Sequence, residues 1–324
     1  MCNSDENTTT EVAVVVLTYN PSWKELSTTL KSIVAQEDCA FEVIIADDGS
    51  EDNLEAEITE FFEKSGFSNY KLVQNKTNVG TVKNLLSALN NCNSDYVKDL
   101  GQGDVLYDKY TLKKMYEYLK SGGYEMVFGM AVPFSTNEQG LHIEPICDNR
   151  ASISSVEADL KKNCLLYEEY PHGAALLFER ELMIKYLEEI KDVVVYCEDL
   201  SIRLMLLDGV RIKYFDEYVV FYECAIGISH SKNGLSRVEK DCLNFGDYFN
   251  KSDRDNQSGR HIKLLAGLRL RKMLSGSSVE SKLVKLLIGM VDIRIPINKV
   301  VRKVHRRQLK KPEYSMLYEC YAEK

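Results

Sequence analysis

Three acidic segments of this chain follow short apolar runs or predicted strands, where carboxylates can take part in chemistry. They are Asp47-Asp48, Asp104 and Glu198-Asp199. A carboxylate can hold a divalent cation against a phosphate, or it can accept a proton as a general base. Two structural explanations remain open: a plain turn accounts for Asp104, and N-capping of a helix accounts for Glu198-Asp199.

A lysine and a histidine are further candidates. Asn78-Val79-Gly80 begins a predicted helix, so free backbone N–H groups there can stabilise an anion, with Lys83 one turn further on. An ordinary strand-to-helix connection with a surface lysine explains the same pattern. His172 lies at the mouth of a predicted strand, where a structural role and a catalytic role are both open.

The elements that must position these groups begin with Glu11–Ser50, a predicted βαβ unit. Its first strand is the apolar run Val12–Leu17, which is typical of a strand buried on both faces of a parallel sheet. Pro21 suits the first position of a helix, and Ser22 with Glu25 has the spacing of a capping box. The unit lacks the glycine-rich dinucleotide turn and the Walker lysine loop, so we expect a ligand other than NAD or ATP at its strand ends.

The alternation of strands and helices continues, which predicts an α/β fold with a mostly parallel twisted sheet flanked by helices. Further strands are predicted at Val43–Ala46, Lys71–Asn75, Asp95–Leu100, Met126–Val132, Ala174–Phe178, Ile212–Phe215 and Tyr218–Tyr222. Further helices are predicted at Leu54–Lys64, from Asn78-Val79-Gly80 onward, at Tyr110–Lys120 and Glu181–Lys191, and from Leu200 to an end at Gly209. The segment 135–163 is polar and is predicted to be an irregular insertion. The predicted organisation is a disordered segment 1–10, a catalytic domain 11–235 and a helical extension 236–324.

Composition is that of a globular protein of 324 residues, with 44% hydrophobic residues and a net charge of −8. Nine scattered cysteines without a CxxC pair indicate free thiols in a reducing cytosol. The polar Met1–Thr10 segment does not resemble a signal peptide, and no apolar run reaches the roughly 18 residues that cross a bilayer. The expected location is therefore cytoplasmic.

The C-terminal part has a different character. An apolar stripe from Val279 to Ile293 is followed by a basic cluster that ends at Lys311. A basic amphipathic segment on an acidic protein predicts peripheral contact of 279–311 with an anionic membrane, such as the inner face of the plasma membrane. A helix packed on the domain with a solvated basic side is the alternative. No nucleic-acid partner is expected, because aromatic residues are sparse among these charges.

In their order along the chain, four segments resemble family 2 glycosyltransferases of the GT-A fold, of the bacterial polysaccharide-assembly type. These segments are Val14–Asn20, Ile44–Ser50, Asn75–Asn84 and Glu198-Asp199, and the match covers roughly Glu11–Ile228. The resemblance implies an inverting enzyme that uses a nucleotide sugar, most often a UDP-sugar, with Mn²⁺ or Mg²⁺. It also implies hexosyl or N-acetylhexosaminyl transfer to a glycan or lipid-linked acceptor.

The resemblance also implies roles for single residues. The nucleotide-sugar site would comprise Thr18, Tyr19, Asn20, Asp47, Asp48, Gly80, Lys83, Asn84, Gln102 and Asp104. Asp199, with Glu198 beside it, would be the catalytic base, and His172 with Gly173 would lie below the acceptor. The family has arginine where Lys83 stands, and Gly227-Ile228-Ser229 resembles a late loop of polysaccharide-assembly members.

The metal motif departs from the family pattern. Where the family has Asp-x-Asp-Asp, this chain has Gly101-Gln102-Gly103-Asp104. Asp104 is then the remaining metal ligand of the motif, helped by His230 or Asp99. The consequences left open are a metal held by fewer oxygens, a dispensable metal, or a weak or lapsed catalyst. The two rival functions are a nucleotidyltransferase, whose phosphate loop is missing here, and a non-catalytic sugar-nucleotide-binding subunit.

Overall fold

The computed structural model describes residues 10–137, 140–144, 160–161, 164, 170–225, 234–252 and 310–322. The strands are β1 Val12–Thr18, β2 Phe41–Asp47, β3 Tyr70–Gln74, β4 Tyr96–Gly101, β5 Val105–Leu106, β6 Met126–Asn137, β7 Gly140–Ile143, β8 Leu176–Glu179 and β9 Ile212–Glu223. The helices are α1 Trp23–Val34, α2 Glu55–Ser65, α3 Thr81–Leu89, α4 Thr111–Gly122, α5 Arg180–Ile190, α6 Ser201–Asp208, α7 Gly234–Lys251 and α8 Ser315–Tyr321. Short 3₁₀ turns lie at Gly173–Ala175 and Glu198–Leu200.

These strands form one sheet in the order β3-β2-β1-β4-β8-β6-β9-β5, with β7 paired to β6. The first four are parallel, and β6 with β9 is a second parallel pair. Strands β8, β7 and β5 run antiparallel to their neighbours. The predicted α/β fold with a mostly parallel sheet flanked by helices is confirmed.

Helices cover both faces of the sheet because β1 is apolar on both sides. Ala13 and Val15 pack in a cluster with residues of α3, α5, α6 and α7. Val12, Val14 and Val16 pack in the opposite cluster with residues of α1, α2 and α4. All five side chains are fully buried. The continuous apolar run in the sequence thus corresponds to the middle layer of a three-layer molecule.

Helix α1 begins as its capping box predicts, with one correction. The Ser22 side chain accepts from the backbone N–H of Glu25, and the Glu25 carboxylate accepts from the N–H of Ser22. Because Ser22 is the cap, Pro21 precedes the helix and does not occupy its first position. The cap fixes where the chain leaves the end of β1, next to the residues Thr18–Asn20.

Two predicted boundaries are wrong. Strand β6 continues through Ser135 to Asn137 and forms a hairpin with β7, so the start of the predicted irregular segment is sheet. The two strands predicted at Ile212–Phe215 and Tyr218–Tyr222 are one continuous strand, β9 Ile212–Glu223. Its register against β6 shifts on either side of Met130. A side chain at Gly129 would meet the Glu217 carbonyl oxygen at 2.8 Å. The register of β6 against β9 is irregular where the two backbones approach closely at Gly129. The hydrophobic pattern of either strand alone does not show this approach.

The C-terminal helices that the structure describes pack on the sheet layers. Helix α7 buries Cys242, Phe245 and Phe249 in the cluster that also covers β1. Helix α8 buries Met316 and Leu317 against β5, β6 and β9. The predicted division at residue 236 stays a prediction, and the apolar and basic segment 279–309 lies outside the described residues. Within the described ranges, no helix is both long enough and apolar enough to cross a bilayer.

Candidate active site

The strand order creates a crevice at the carboxyl ends of β1, β2 and β4. From β1 the chain moves to β2 and β3 on one side, and it then returns to β4 on the other side of β1. Thr18 lies in register with Asp47, and Leu17 lies in register with Gly101. Ligands of open α/β sheets bind at such a switch point, because the connecting loops diverge there.

The turn after β2 is organised around the buried carboxylate of Asp47. This carboxylate accepts from the backbone N–H of Ser50 at 2.9 Å, from the Ser50 hydroxyl, and from the Thr18 hydroxyl at 3.3 Å. The Ser50 hydroxyl oxygen in turn accepts from the N–H of Asn20 at 2.7 Å. Gly49 is required at the tip, because its φ is +74° and a side chain would meet the backbone of Thr77. Asp47 thereby ties the loops after β1 and β2 together.

Asp48 occupies the N-terminus of helix α3. Its carboxylate accepts from the N–H groups of Val79 and Gly80, both at 2.9 Å, and from the Asn75 side chain at 3.2 Å. The prediction of free N–H groups at this helix start is therefore wrong for these two residues. The chain's own carboxylate already provides the negative charge that the helix end stabilises.

The two neighbours Lys83 and Asn84 have different environments. Asn84 is buried, donates to the Ala46 carbonyl at 2.9 Å, and accepts from Asn75 at 2.9 Å. It thus belongs to the network that holds Asp48. Lys83 instead forms a half-exposed ion pair with Asp192 at 3.1 Å. The Lys83 ammonium is thus paired with an exposed acid, and its predicted role at the nucleotide sugar stays a prediction.

In the turn after β4, the carboxylate of Asp104 is buried. The Asp104 carboxylate accepts from the N–H of Gly101 and from the N–H of Glu223, both at 3.0 Å. Burial raises the pKa of Asp104 to about 7. Gln102 lies nearer the surface, where it accepts from the N–H of Tyr19 at 3.0 Å and donates to Glu25 at 3.2 Å. The turn therefore contacts the loop after β1 through Gln102.

A divalent cation centred on this turn does not fit the residues that the structure describes. Both oxygens of Asp104 face backbone donors, and Gly101 and Gly103 offer no side-chain ligand. Among the described residues, no group of three or more His, Cys, Asp or Glu side chains is placed to hold a metal ion. The other predicted ligand, His230, lies outside the described residues, as does Gly227-Ile228-Ser229.

Strand β4 places a buried Lys98–Asp99 pair under the crevice. The Lys98 ammonium donates to the carbonyls of Asp99 and Ala174, both at 2.6 Å. Burial lowers the pKa of Lys98 to about 8 and raises that of Asp99 to about 6. One oxygen of Asp99 has no hydrogen-bond partner among the described residues. Sequence reasoning missed Lys98, although adjacent charges inside an otherwise apolar strand are a usable signal.

His172 and Gly173 lie beside the carboxylate pair. The His172 ring packs edge-on against Tyr222 with 4.2 Å between ring centres. Burial and the Lys98 charge lower the pKa of His172 to about 4, so the ring is neutral at pH 7. A side chain at Gly173 would lie 3.1 Å from an oxygen of Glu198. Glycine thus leaves room for that carboxylate next to His172.

Glu198 and Asp199 form a 3₁₀ turn before α6, and both are partly buried. The pKa of Glu198 is raised by burial and by the charges of Asp199 and Asp99. Burial also raises the pKa of Asp199, which the Arg203 guanidinium one turn later partly offsets. Glu198 therefore lies against Gly173 and the end of β4, whereas Asp199 interacts with α6.

The segment before this pair is an irregular connection, although it is an apolar run. Val195–Cys197, here called the strap, contacts two helices. The Val195 carbonyl accepts from the N–H of Val82 at 3.1 Å, which joins the strap to α3. On its other side the strap donates three N–H groups to Asp241 of α7. Asp241 is a site residue that sequence reasoning missed, because nothing near it in the sequence marks it.

Comparison with known proteins places this architecture in a family. The sequence matches the family model described as glycosyl transferase family 2 over residues 13–182, just over half of the chain. The chain belongs to glycosyl transferase family 2. The match runs from β1 into α5 and so includes the ends of β1, β2 and β4, and the resemblance found in the sequence is confirmed at the level of the family.

Solved structures show the fold that this family 2 member shares. Residues 1–349 of TarS from S. aureus superpose with a TM-score of 0.59 and 16% identity, covering 84% of this chain and 77% of that one. TarS 1–349 in complex with UDP-GlcNAc gives a TM-score of 0.57 and 17% identity, covering 88% and 82%. The mannosyltransferase PcManGT from Pyrobaculum calidifontis, in complex with GDP-Man and Mn²⁺, gives 0.54 and 15%, covering 93% and 88%. No curated protein matches the sequence. The predicted GT-A fold is confirmed.

Proposed function

We propose that this family 2 member is an inverting glycosyltransferase that moves a hexosyl or N-acetylhexosaminyl unit from a nucleotide sugar to a glycan or lipid-linked acceptor. A UDP-sugar is the proposed donor, since TarS structures contain UDP and UDP-GlcNAc, although PcManGT binds GDP-Man. The observation that carries the proposal is that Asp48 accepts from Gly80, that Gly80 lies against Val195, and that the chain runs from Val195 into the Glu198-Asp199 pair.

The donor would lie across the ends of β1, β2 and β4. Asp47 and Asp48 hold the loops in place through their hydrogen bonds, so their contribution to base and ribose binding is largely the shape of the crevice. Tyr19 is 48% exposed at its mouth, and its ring offers a flat surface to a nucleobase. The roles of Thr18, Asn20, Gly80 and Gln102 follow from their places in these same loops.

The chemical step requires a proton acceptor. The acceptor oxygen forms a bond to the anomeric carbon while the bond from that carbon to the phosphate oxygen breaks, and its electron pair leaves with the nucleoside diphosphate. The hydroxyl proton passes to a carboxylate, which makes the oxygen a better nucleophile as the bond forms. Asp199 is the proposed base. Glu198 is its rival, because its carboxylate lies against Gly173 and the proposed acceptor surface.

A metal ion has no step in this mechanism. The resemblance to the family implies Mn²⁺ or Mg²⁺, and PcManGT is bound to Mn²⁺. The inward-facing Asp104 of this chain does not offer that ion a ligand. This same observation favours the second candidate function, a sugar-nucleotide-binding subunit of a glycan-assembly complex that does not itself catalyse transfer.

Release of the nucleoside diphosphate separates these functions. The full chain is incubated with UDP-, GDP- and dTDP-sugars, with Mn²⁺ or with EDTA, and nucleotide release is followed together with thermal stability. Release that depends on one donor supports the enzyme. Stabilisation by a nucleotide without release supports the binding subunit. The proposal fails if no nucleotide or nucleotide sugar raises the melting temperature or is turned over.

A further inference from the structure

Helix α7 contributes a buried carboxylate, that of Asp241, which contacts the strap. Asp241 is 2% exposed, and its carboxylate accepts from three consecutive backbone N–H groups. The donors are Val195 at 3.1 Å, Tyr196 at 2.6 Å and Cys197 at 3.1 Å. Hydrogen bonds to a charged acceptor are stronger than those between neutral groups, so three of them on one carboxylate fix the course of this segment.

The strap lacks the regular hydrogen bonds of a helix or a strand. It is neither helix nor strand, and Val195 is 41% exposed. Its other backbone hydrogen bonds to described residues are those in which the Val195 carbonyl accepts from Val82 and the Cys197 carbonyl accepts from Leu200. The residue that follows the strap is Glu198, the first member of the carboxylate pair. A displacement of Cys197 therefore passes directly to Glu198 and Asp199.

We infer that Asp241 is a positioning residue for sugar transfer, which holds the Glu198-Asp199 pair in place through the strap. This inference rests on the proposed function. Asp241 touches neither donor nor acceptor in this proposal, because its carboxylate is buried against the strap. It acts through the backbone, and its loss reduces the fraction of molecules whose base is aligned with the acceptor hydroxyl.

The test compares Asp241→Asn with a matched variant of the same helix. The asparagine keeps the shape but has one acceptor oxygen, and its amide group opposes an N–H donor. Tyr248→Phe is the control, because it removes a hydrogen bond from α7 to Glu189 without touching the strap. Both full-length variants are assayed for kcat and donor KM with the nucleotide sugar that wild type turns over fastest. Amide hydrogen exchange of residues 195–197 is measured in parallel.

Positioning predicts that Asp241→Asn lowers kcat at least tenfold and leaves donor KM within about twofold. Exchange at 195–197 should rise at least tenfold, while Tyr248→Phe keeps wild-type kcat and exchange. The inference is overturned if Asp241→Asn keeps wild-type kcat, if its exchange is unchanged, or if Tyr248→Phe loses as much activity. If Asp241→Asn does not fold, Asp241→Glu carries the same expectations, because it keeps the charge and displaces the oxygens.

Failure of the proposed function gives a different result. A wild-type chain that releases no nucleotide from any donor disproves sugar transfer, and the exchange data still decide what Asp241 does. Raised exchange confined to 195–197 then supports its hold on the strap. Normal protection in Asp241→Asn overturns it.

Discussion

The carboxylates of Glu198 and Asp199 stand next to each other in sequence but have different surroundings. Glu198 lies against Gly173 and is influenced by the charge of Asp99, whereas Asp199 faces the guanidinium of Arg203. Neighbouring titratable groups with different environments are suited to different roles in a proton transfer. The identity of the base can therefore be tested by changing each of the two side chains separately.

Matched amide variants decide between them. The variant that removes the base should lower kcat by on the order of 10²–10⁴-fold, and the other should lower it less. We expect Asp199→Asn to show the larger loss, with Glu198→Gln as its comparison. A wild-type rate in Asp199→Asn would reject Asp199 as the base. The measurement is initial nucleotide release at saturating donor.

The pH dependence of kcat/KM is a second test of the carboxyls of Glu198 and Asp199. Burial raises the pKa of both carboxyls, so kcat/KM should rise with pH above the ordinary carboxylate range of about 4. Because the Asp199 charge helps to raise the pKa of Glu198, an Asp199→Asn variant that is still active should show this limb at lower pH. An unshifted limb in that variant would indicate that Glu198 is not the titrating base.

His172 should make the fold sensitive to acid. Its pKa falls from 6.5 to about 4 on folding, so the unfolded chain binds the extra proton first. The stabilisation is complete above pH 6.5 and is lost as the pH falls towards 4. Denaturant titrations at pH 7 and pH 4.5 should show that His172→Gln loses about 2–3 kcal/mol less than wild type across this interval. Equal losses in both proteins would contradict the shift.

At the scale of elements, the contact between α3 and the strap depends on a missing side chain. Gly80 has a φ of +88°, and an added methyl group would lie 2.6 Å from the Val195 carbonyl oxygen. The close approach allows Val82 to donate to that carbonyl. The donor side of the crevice and the segment that leads into the carboxylate pair are joined at this contact.

Gly80→Ala should therefore cost both stability and rate. Gly66 offers a matched control, because its φ of +70° is also positive but nothing lies within 4 Å of an added side chain. We expect Gly66→Ala to lose roughly 1–2 kcal/mol from backbone strain alone. Gly80→Ala should lose more, because the strap must move, and its kcat should fall at least tenfold. Equal stability losses with unchanged kcat would show that the contact is unimportant.

Local patterns in the sequence predict much of this architecture. The apolar run Val12–Leu17 and the Ser22 capping box predict β1 and α1, because each depends on neighbouring residues. The pairing of Asp48 with α3, and of Asp241 with the strap, joins residues about 30 and 45 positions apart. No local pattern records which partner a carboxylate finds in space, so the candidate site was only partly predictable.

At the scale of the whole molecule, helix α8 packs against α1, near the opposite end of the chain. The Lys31 ammonium donates to the Cys320 carbonyl at 3.1 Å, at the end of α8. Leu317 is fully buried with Val105, Phe134 and Phe221. The helix thus covers apolar side chains of β5, β6 and β9.

Removing the Leu317 side chain should be costly. Leu317→Ala leaves a cavity, so we expect the free energy of unfolding to fall by about 2–5 kcal/mol. Glu319→Ala on the exposed side of α8 is the control and should stay within about 0.5 kcal/mol of wild type. Denaturant unfolding of full-length proteins measures both. Similar small losses would mean that α8 contributes little.

The packing of α8 also dictates how membrane contact should be tested. Truncation at Ser278 would remove α8, so any effect would mix charge with misfolding. Substituting glutamine for the basic residues Lys299, Arg302, Lys303, Arg306 and Arg307 removes charge and leaves the residues of α8 in the chain. If 279–311 contacts an anionic bilayer, binding to phosphatidylserine vesicles should fall at least tenfold, since each charge contributes about 1 kcal/mol. Unchanged binding would reject this contact.

The position of α8 has a consequence for biosynthesis. Translation proceeds from the N-terminus, so strands β5, β6 and β9 leave the ribosome well before residues 315–321. Until then, the apolar side chains that α8 covers remain open to water and to other nascent chains. We therefore expect the newly made polypeptide to need chaperone protection of these apolar side chains until helix α8 has emerged.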